Sequence, residues 1–144
     1  MKRLYEHHYI EEQRTYRDIE YTILLNKAGW RTAYLKVTGS VLEYIDFNDI
    51  NLDVHGGLTY SSNHLPYEID VPPERETWYI GWDYAHYADG FDFETVKKYF
   101  GEVGHNPLIT THINYKIYTL NDVRNDCIEA INKLHEGFYR ITGE

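Results

Sequence analysis

The chain has 144 residues, of which 42% are hydrophobic and 26% charged, a composition that is typical of one folded domain and excludes general disorder. No apolar run approaches the roughly 20 residues of a membrane span, and the N-terminus has no apolar signal core, so we expect a cytoplasmic protein. Cys127 is the only cysteine, which excludes an internal disulfide and a multi-cysteine zinc site.

The net charge of −9 comes from the middle of the chain. Residues 41–100 contain twelve acidic and three basic residues, whereas the two flanks together carry eleven of each. A protein that binds DNA or RNA without sequence preference needs a basic face, which this segment cannot supply. We therefore expect neither a nucleic acid nor a membrane as partner.

The N-terminal part of the chain predicts an antiparallel hairpin. Residues 1–15 are polar, and their pattern leaves open an arm or a short helix. In residues 16–25 and 30–38, β-type side chains alternate with polar ones, and the turn signal at 26–29 joins the two runs.

Further strands, a loop and a short helix are predicted in the middle of the chain. We expect strands at residues 52–60 and 77–84 and within 107–118. Residues 61–75 contain three prolines and are expected to form a lid-like loop of a length that often has a function. Residues 91–100 predict a short helix with an aspartate near its start.

The C-terminal region predicts a helix over residues 119–134. Thr119 is expected to cap it together with Asp122, and Gly137 is expected to end it. Its apolar residues recur at helical spacing in one stripe: Leu120, Val123, Cys127, Ile128, Ile131 and Leu134. The order of strands and helix predicts a single α+β domain over residues 1–144, a mostly antiparallel β-sheet with the C-terminal α-helix packed on one face.

Two segments, residues 53–61 and 78–90, carry the candidate site. If both are paired strands, alternation places one polar set on the face opposite the tryptophans: His55, Thr59, Ser61 and Asp83. Glycines within the strands leave room for a ligand, and His86 and Asp89 follow where the second strand ends. The predicted ligand-binding residues are His55, Gly56, Gly57, Thr59, Tyr60, Ser61, Tyr79, Gly81, Asp83, His86 and Asp89.

Several chemistries are compatible with these residues. The spacing Asp-x2-His-x2-Asp permits a divalent metal without being a recognised metal signature. A histidine beside a carboxylate also suits general-base catalysis, and the tyrosines suit a polar aromatic ligand or a protein interface. A purely structural interpretation is open as well, with the glycines forming a bend and the tryptophans the core. From these options we expect a ligand-binding site with no catalytic residue, no metal and no cofactor.

Residues 55–61 (H-G-G-L-T-Y-S) and 78–89 (W-Y-I-G-W-D-Y-A-H-Y-A-D) resemble a family of small proteins encoded by bacteriophages, prophages and bacteria. That family shows an H-G-G-L-T-Y segment followed by W-W-F-G-F-D-x-A-H-x-G-D. Its upstream G-Y-x-x-V strand is similar to residues 33–37, and its final helix opens like residues 118–123. The resemblance covers about residues 29–135.

The departures from the family pattern are modest. Trp82 stands where the family has Phe, Tyr87 and Ala88 replace its small pair, and the loop before His55 lacks its Gly-His-Pro run. The family has long lacked an assigned function. Small phage proteins of this type are linked with counter-defence, in which a protein sequesters a nucleotide-derived immune signal such as a cyclic dinucleotide or an ADP-ribose derivative.

The resemblance and the site together lead to a functional hypothesis. We expect a homo-oligomer in the host cytoplasm that binds such a signal without cleaving it. Asp83 would face sugar or base groups, and the phosphates would meet backbone N–H groups near Gly56 and Gly57, or Arg31 or Lys36. Two alternatives stay open, an acidic protein-protein inhibitor of a host defence factor and a His/Asp hydrolase acting on the nucleotide.

Overall fold

The computed structural model describes residues 7–38, 52–68, 72, 77–86, 89–101 and 115–142. In that part of the chain, five antiparallel strands form one sheet in the order β1-β2-β3-β5-β4, accompanied by two helices. The elements are β1 (His8–Tyr16), β2 (Ile19–Asn26), β3 (Arg31–Thr38), β4 (Tyr60–Ser62), β5 (Thr77–Asp83), α1 (Phe93–Phe100) and α2 (Leu120–Thr142). The predicted α+β class and the predicted packing of the C-terminal helix on the sheet are confirmed.

The first strand corrects the expectation of an arm or a short helix for residues 8–15, whereas residues 1–6 lie outside the described residues. Residues 8–16 form β1, which joins β2 through a tight turn in which Arg17 and Asp18 have positive φ angles of 48° and 68°. Two buried glutamates, Glu11 and Glu12, give this strand its polar appearance. Both are stabilised by arginines from distant segments, which no local pattern reveals.

The two faces of the sheet carry separate clusters. The larger cluster packs the sheet against the apolar stripe of α2, and its buried members include Ile23, Leu35, Trp82, Cys127 and Ile131. The smaller cluster, on the other face, consists of Ile10, Leu24, Tyr34, Leu65 and Tyr79, with Tyr60 and Tyr67 partly buried against it. Trp82 is therefore a core residue, as its strand pattern predicts.

The predicted strand at residues 52–60 is wrong, because β4 begins at Tyr60. Gly56 and Gly57 adopt positive φ angles of 71° and 81°, which an extended strand does not contain. Within the predicted lid at 61–75, the first two residues belong to β4, and residues 63–68 turn back over the smaller cluster. Residues 69–71 and 73–75 of the lid lie outside the described residues.

The helices agree with prediction at their starts. Asp92 caps α1 by accepting from the Thr95 N–H, and Thr119 and Asp122 exchange hydrogen bonds in a capping box at the start of α2. Gly137 does not end α2, which continues to Thr142 because one glycine inside a helix costs only about 1 kcal/mol relative to alanine. In the described part of the chain, no helix combines the length and apolar character needed to cross a bilayer.

The strand expected within residues 107–118 lies mostly outside the described residues. Of that range, residues 115–118 are described, and they contribute one isolated bridge, between Lys116 and Asp89. This bridge brings the segment that precedes α2 beside the segment that follows β5.

A buried guanidinium ties four segments of the fold together. Arg31 of β3, whose side chain is 3% exposed, donates to both carboxylate oxygens of Glu11 in β1, at 2.6 and 3.1 Å. It also donates to Asp92 at the start of α1 and to the Tyr118 carbonyl before α2, both at 2.9 Å. Burial raises the pKa of Asp92, but the bonds from Thr95 and Arg31 outweigh it and lower that pKa overall.

Replacing Arg31 with methionine should therefore destabilise the protein strongly. Arg31→Met leaves Glu11 buried without its partner, which typically costs about 3–5 kcal/mol of unfolding free energy. Urea denaturation at neutral pH measures this loss, and the double variant Arg31→Met/Glu11→Leu should recover part of it. A single variant as stable as the parent would show that the ion pair does not hold these segments together.

Candidate functional site

The candidate site lies where β5 ends. At its centre, a carboxylate accepts hydrogen bonds from the imidazole of one histidine and from the backbone N–H of another. Asp89, 7% exposed, lies 2.9 and 3.0 Å from the Nε2 atom of His55 and 2.9 Å from the backbone nitrogen of His86. A carboxylate accepts hydrogen bonds, so Nε2 of His55 carries a proton, and in the neutral imidazole Nδ1 is left as an acceptor. In the part of the chain that the structure describes, Nδ1 of His55 has no hydrogen-bond partner.

A second imidazole lies beside a second carboxylate. Nε2 of His86 lies 3.4 Å from Oδ1 of Asp83 and makes no hydrogen bond to any described residue. The two oxygens of Asp83 accept from the Ala85 N–H and the Thr59 hydroxyl, both at 3.1 Å. The rings of His55 and His86 are 5.4 Å apart, edge to face. We call His55, Asp83, His86 and Asp89 the His–Asp cluster.

The two glycines of the loop that holds His55 have different surroundings. A Cβ atom at Gly56 would lie 2.1 Å from Nε2 of His86, so the missing side chain makes room for that imidazole. A Cβ atom at Gly57 would meet nothing within 4 Å among the described residues. The Gly57 N–H already donates to the Val54 carbonyl at 3.0 Å, so it is not free for a phosphate.

Two tyrosine rings pack against the imidazole of His55 and hold it in place. Its ring stacks on Tyr84 at 4.9 Å between centroids and 9° between planes, and it lies 4.5 Å from the ring of Tyr118. The Tyr84 hydroxyl donates to Asp126 of α2 at 2.6 Å and accepts from the Trp82 indole at 2.9 Å. Burial and the bond to Asp126 raise the pKa of Tyr84, which keeps the hydroxyl protonated.

The two basic residues expected to meet phosphates, Arg31 and Lys36, are not placed at the His–Asp cluster. Arg31 is committed to the buried network described above. Lys36 faces Tyr79 in the β3–β5 register, four residues from the position that faces Asp83, or about 13 Å along the strand. Lys116, instead, places its Nζ 4.6 Å from the centre of the Tyr118 ring.

The structure brings together six of the predicted ligand-binding residues and places Gly57 in the same loop. The six are His55, Gly56, Thr59, Asp83, His86 and Asp89. The other four, Tyr60, Ser61, Tyr79 and Gly81, lie further along β4 and β5.

The pairing of those two strands corrects the predicted face of Ser61. Tyr60 pairs with Gly81, so it shares the face of Tyr79 and packs edge-on against Tyr34. Ser61 lies on the opposite face, where its hydroxyl accepts from the Trp78 indole at 2.7 Å. Alternation from His55 cannot predict the face of Ser61, because the residues between them are not a strand.

Four residues of the site are missing from the prediction: Tyr84, Asp126, Lys116 and Tyr118. Tyr84 directly follows the predicted Asp83 in the sequence, so the motif itself could have indicated it. The other three come from the segment before α2 and from α2 itself, and no local pattern connects them with β5. Among the described residues, no group of three or more His, Cys, Asp or Glu side chains is arranged to hold a metal ion.

Comparison of the chain with models of known families, with curated proteins and with solved structures gives no match.

The two glycines provide a matched test of the cluster. Alanine at either position is strained by roughly 1–2 kcal/mol because φ is positive, but only Gly56→Ala also displaces the His86 imidazole. We expect Gly56→Ala to be the less stable variant and to shift the NMR signals of the His86 ring, with Gly57→Ala leaving them in place. The double variant Gly56→Ala/His86→Ala should regain the stability of Gly57→Ala. Equal effects of the two single changes would contradict the close packing of His86 on Gly56.

Proposed function

We propose that the protein binds a nucleotide-derived signal at the His–Asp cluster and sequesters it. The observation that supports this proposal is the pairing of two imidazoles with two carboxylates beside a lysine and a tyrosine ring. Such a site offers separate places for the sugar hydroxyls and for the phosphates of a nucleotide. The resemblance of residues 55–61 and 78–89 to the phage-encoded family adds a role in counter-defence, in the cytoplasm of the host, to the proposal.

The phosphates of the ligand are best met by Lys116, whose ammonium lies against the Tyr118 ring. Arg31 and the Gly57 N–H, which the sequence offered for this task, already have partners inside the protein. The side chains of His55, Asp83 and His86 are 24%, 29% and 37% exposed, whereas a tight binder buries most of its ligand. We therefore include a homo-oligomer in the proposal, with a second copy covering the ligand.

A hydrolase is the second candidate, and the orientation of His55 favours it. Asp89 fixes the protonated Nε2, so Nδ1 of His55 is held ready to take a proton from an attacking hydroxyl or water. The acidic inhibitor has less support, because Asp89 and Asp92 of the acidic middle are engaged with partners inside the protein.

Incubation with a panel of cyclic dinucleotides and ADP-ribose derivatives tests the proposal. We expect near-stoichiometric depletion of one member from solution and its intact recovery after heat denaturation, both measured by chromatography. New products in place of intact recovery would establish the hydrolase instead. If no member is depleted, both candidates fail.

The variant Asp89→Asn, with Asp18→Asn as its control, tests whether depletion of the nucleotide depends on the His–Asp cluster. An asparagine at position 89 removes the charge that strengthens the hydrogen bond orienting His55, so we expect depletion to fall at least about tenfold. Asp18 lies exposed in the β1–β2 turn, and its replacement by asparagine should leave depletion unchanged. Equal depletion by Asp89→Asn and the parent chain would place the ligand elsewhere.

A further inference from the structure

The hydrogen-bonding capacity of the His–Asp cluster is mostly that of an acceptor. In the neutral imidazole of His55, Nδ1 is an acceptor because Nε2 donates to Asp89. Each oxygen of Asp83 accepts one bond from within the described chain, although a carboxylate oxygen can accept two. A ligand that satisfies these atoms has to present hydrogen-bond donors to them.

In a nucleotide, the ribose hydroxyls are the neighbouring donors that fit this pattern. Phosphate oxygens are acceptors, and they are repelled by the charge of Asp83. We infer that the cluster recognises the free vicinal hydroxyl pair of a ribose through His55 and Asp83, while the phosphates lie toward Lys116 beside Tyr118. This inference rests on the proposed nucleotide binding and holds whether or not the ligand is cleaved.

Recognition of two adjacent free hydroxyls would distinguish ADP-ribose derivatives from cyclic dinucleotides. In a 3′,3′-linked cyclic dinucleotide the 3′ oxygen of each ribose is esterified, so neither sugar keeps two adjacent free hydroxyls. ADP-ribose keeps such a pair on both of its riboses. An ADP-ribose type of nucleotide is therefore the ligand class that the pattern of acceptors favours.

Calorimetric titration of the full chain with ADP-ribose and with 3′,3′-cyclic di-AMP, in the same buffer and salt, tests the inference. Both probes contain adenine, ribose and two phosphate groups, and they differ in the free hydroxyl pair as well as in the second adenine and the cyclic linkage, so a variant at the hydroxyl-binding atoms completes the test. We expect ADP-ribose to bind at least about tenfold more tightly, the effect of one or two hydrogen bonds to a charged or fixed acceptor.

The variant His55→Gln tests whether the tighter binding of ADP-ribose depends on Nδ1 of His55. The glutamine amide can still donate to Asp89 as Nε2 does, but no acceptor remains at the Nδ1 position. We expect its affinity for ADP-ribose to fall about tenfold, with the affinity for 3′,3′-cyclic di-AMP changed by less than about twofold. Asp83→Asn should act in the same direction, Asp18→Asn should change neither affinity, and thermal unfolding verifies that each variant is folded.

The possible results separate the inference from the proposed function. Tighter binding of ADP-ribose that His55→Gln abolishes supports both. Equal binding of the two probes, or tighter binding of the cyclic dinucleotide, overturns hydroxyl recognition and leaves the nucleotide proposal standing. Binding of neither probe overturns the inference, and depletion of no nucleotide in the panel overturns the proposed function as well.

Discussion

The fold and the site both depend on the buried guanidinium of Arg31. Its side chain joins Glu11 of the edge strand, Asp92 at the start of α1 and the carbonyl of Tyr118 before α2. Its own carbonyl accepts from the N–H of Tyr84 at 3.0 Å. Tyr84 and Tyr118 are the two rings that pack against the imidazole of His55, so one buried residue fixes the backbone of both. The same ion pairs that hold the strands together therefore position the floor of the candidate site.

Local patterns were sufficient for elements whose side chains satisfy one another nearby. The β2–β3 hairpin, β5, α1 and the capping box of α2 follow from alternation, turn residues and helical spacing. The edge strand β1 could not be predicted, because its buried Glu11 and Glu12 look like surface residues until Arg31 and Arg124 are placed beside them. The error at residues 52–60 has a related cause, since Gly56 makes room for a histidine thirty residues further along the chain.

The composition of the site was easier to predict than its geometry. His55, Asp83, His86 and Asp89 do lie together, although strand pairing is not what brings them there. The loop that holds His55 is fixed by Asp89, by the tyrosine rings and by the turn at the two glycines. Such contacts span long stretches of sequence and leave no periodic trace. The residue types therefore indicate a candidate site, whereas the relative positions of its side chains and the two tyrosine rings beneath His55 are seen only in the structure.

The acidic character of the middle segment has a specific consequence for recognition. Asp89 and Asp92 are used within the protein, and Asp83 is the carboxylate of the cluster that keeps exposed capacity to accept hydrogen bonds. A carboxylate in a nucleotide site is favourable only where it meets a donor, because it repels phosphate. The charge of Lys116 attracts a phosphate without fixing its direction, whereas His55 and Asp83 are held in fixed orientations by their partners. Under the proposed nucleotide binding, selectivity would therefore come from the sugar, and the phosphates would contribute mainly affinity.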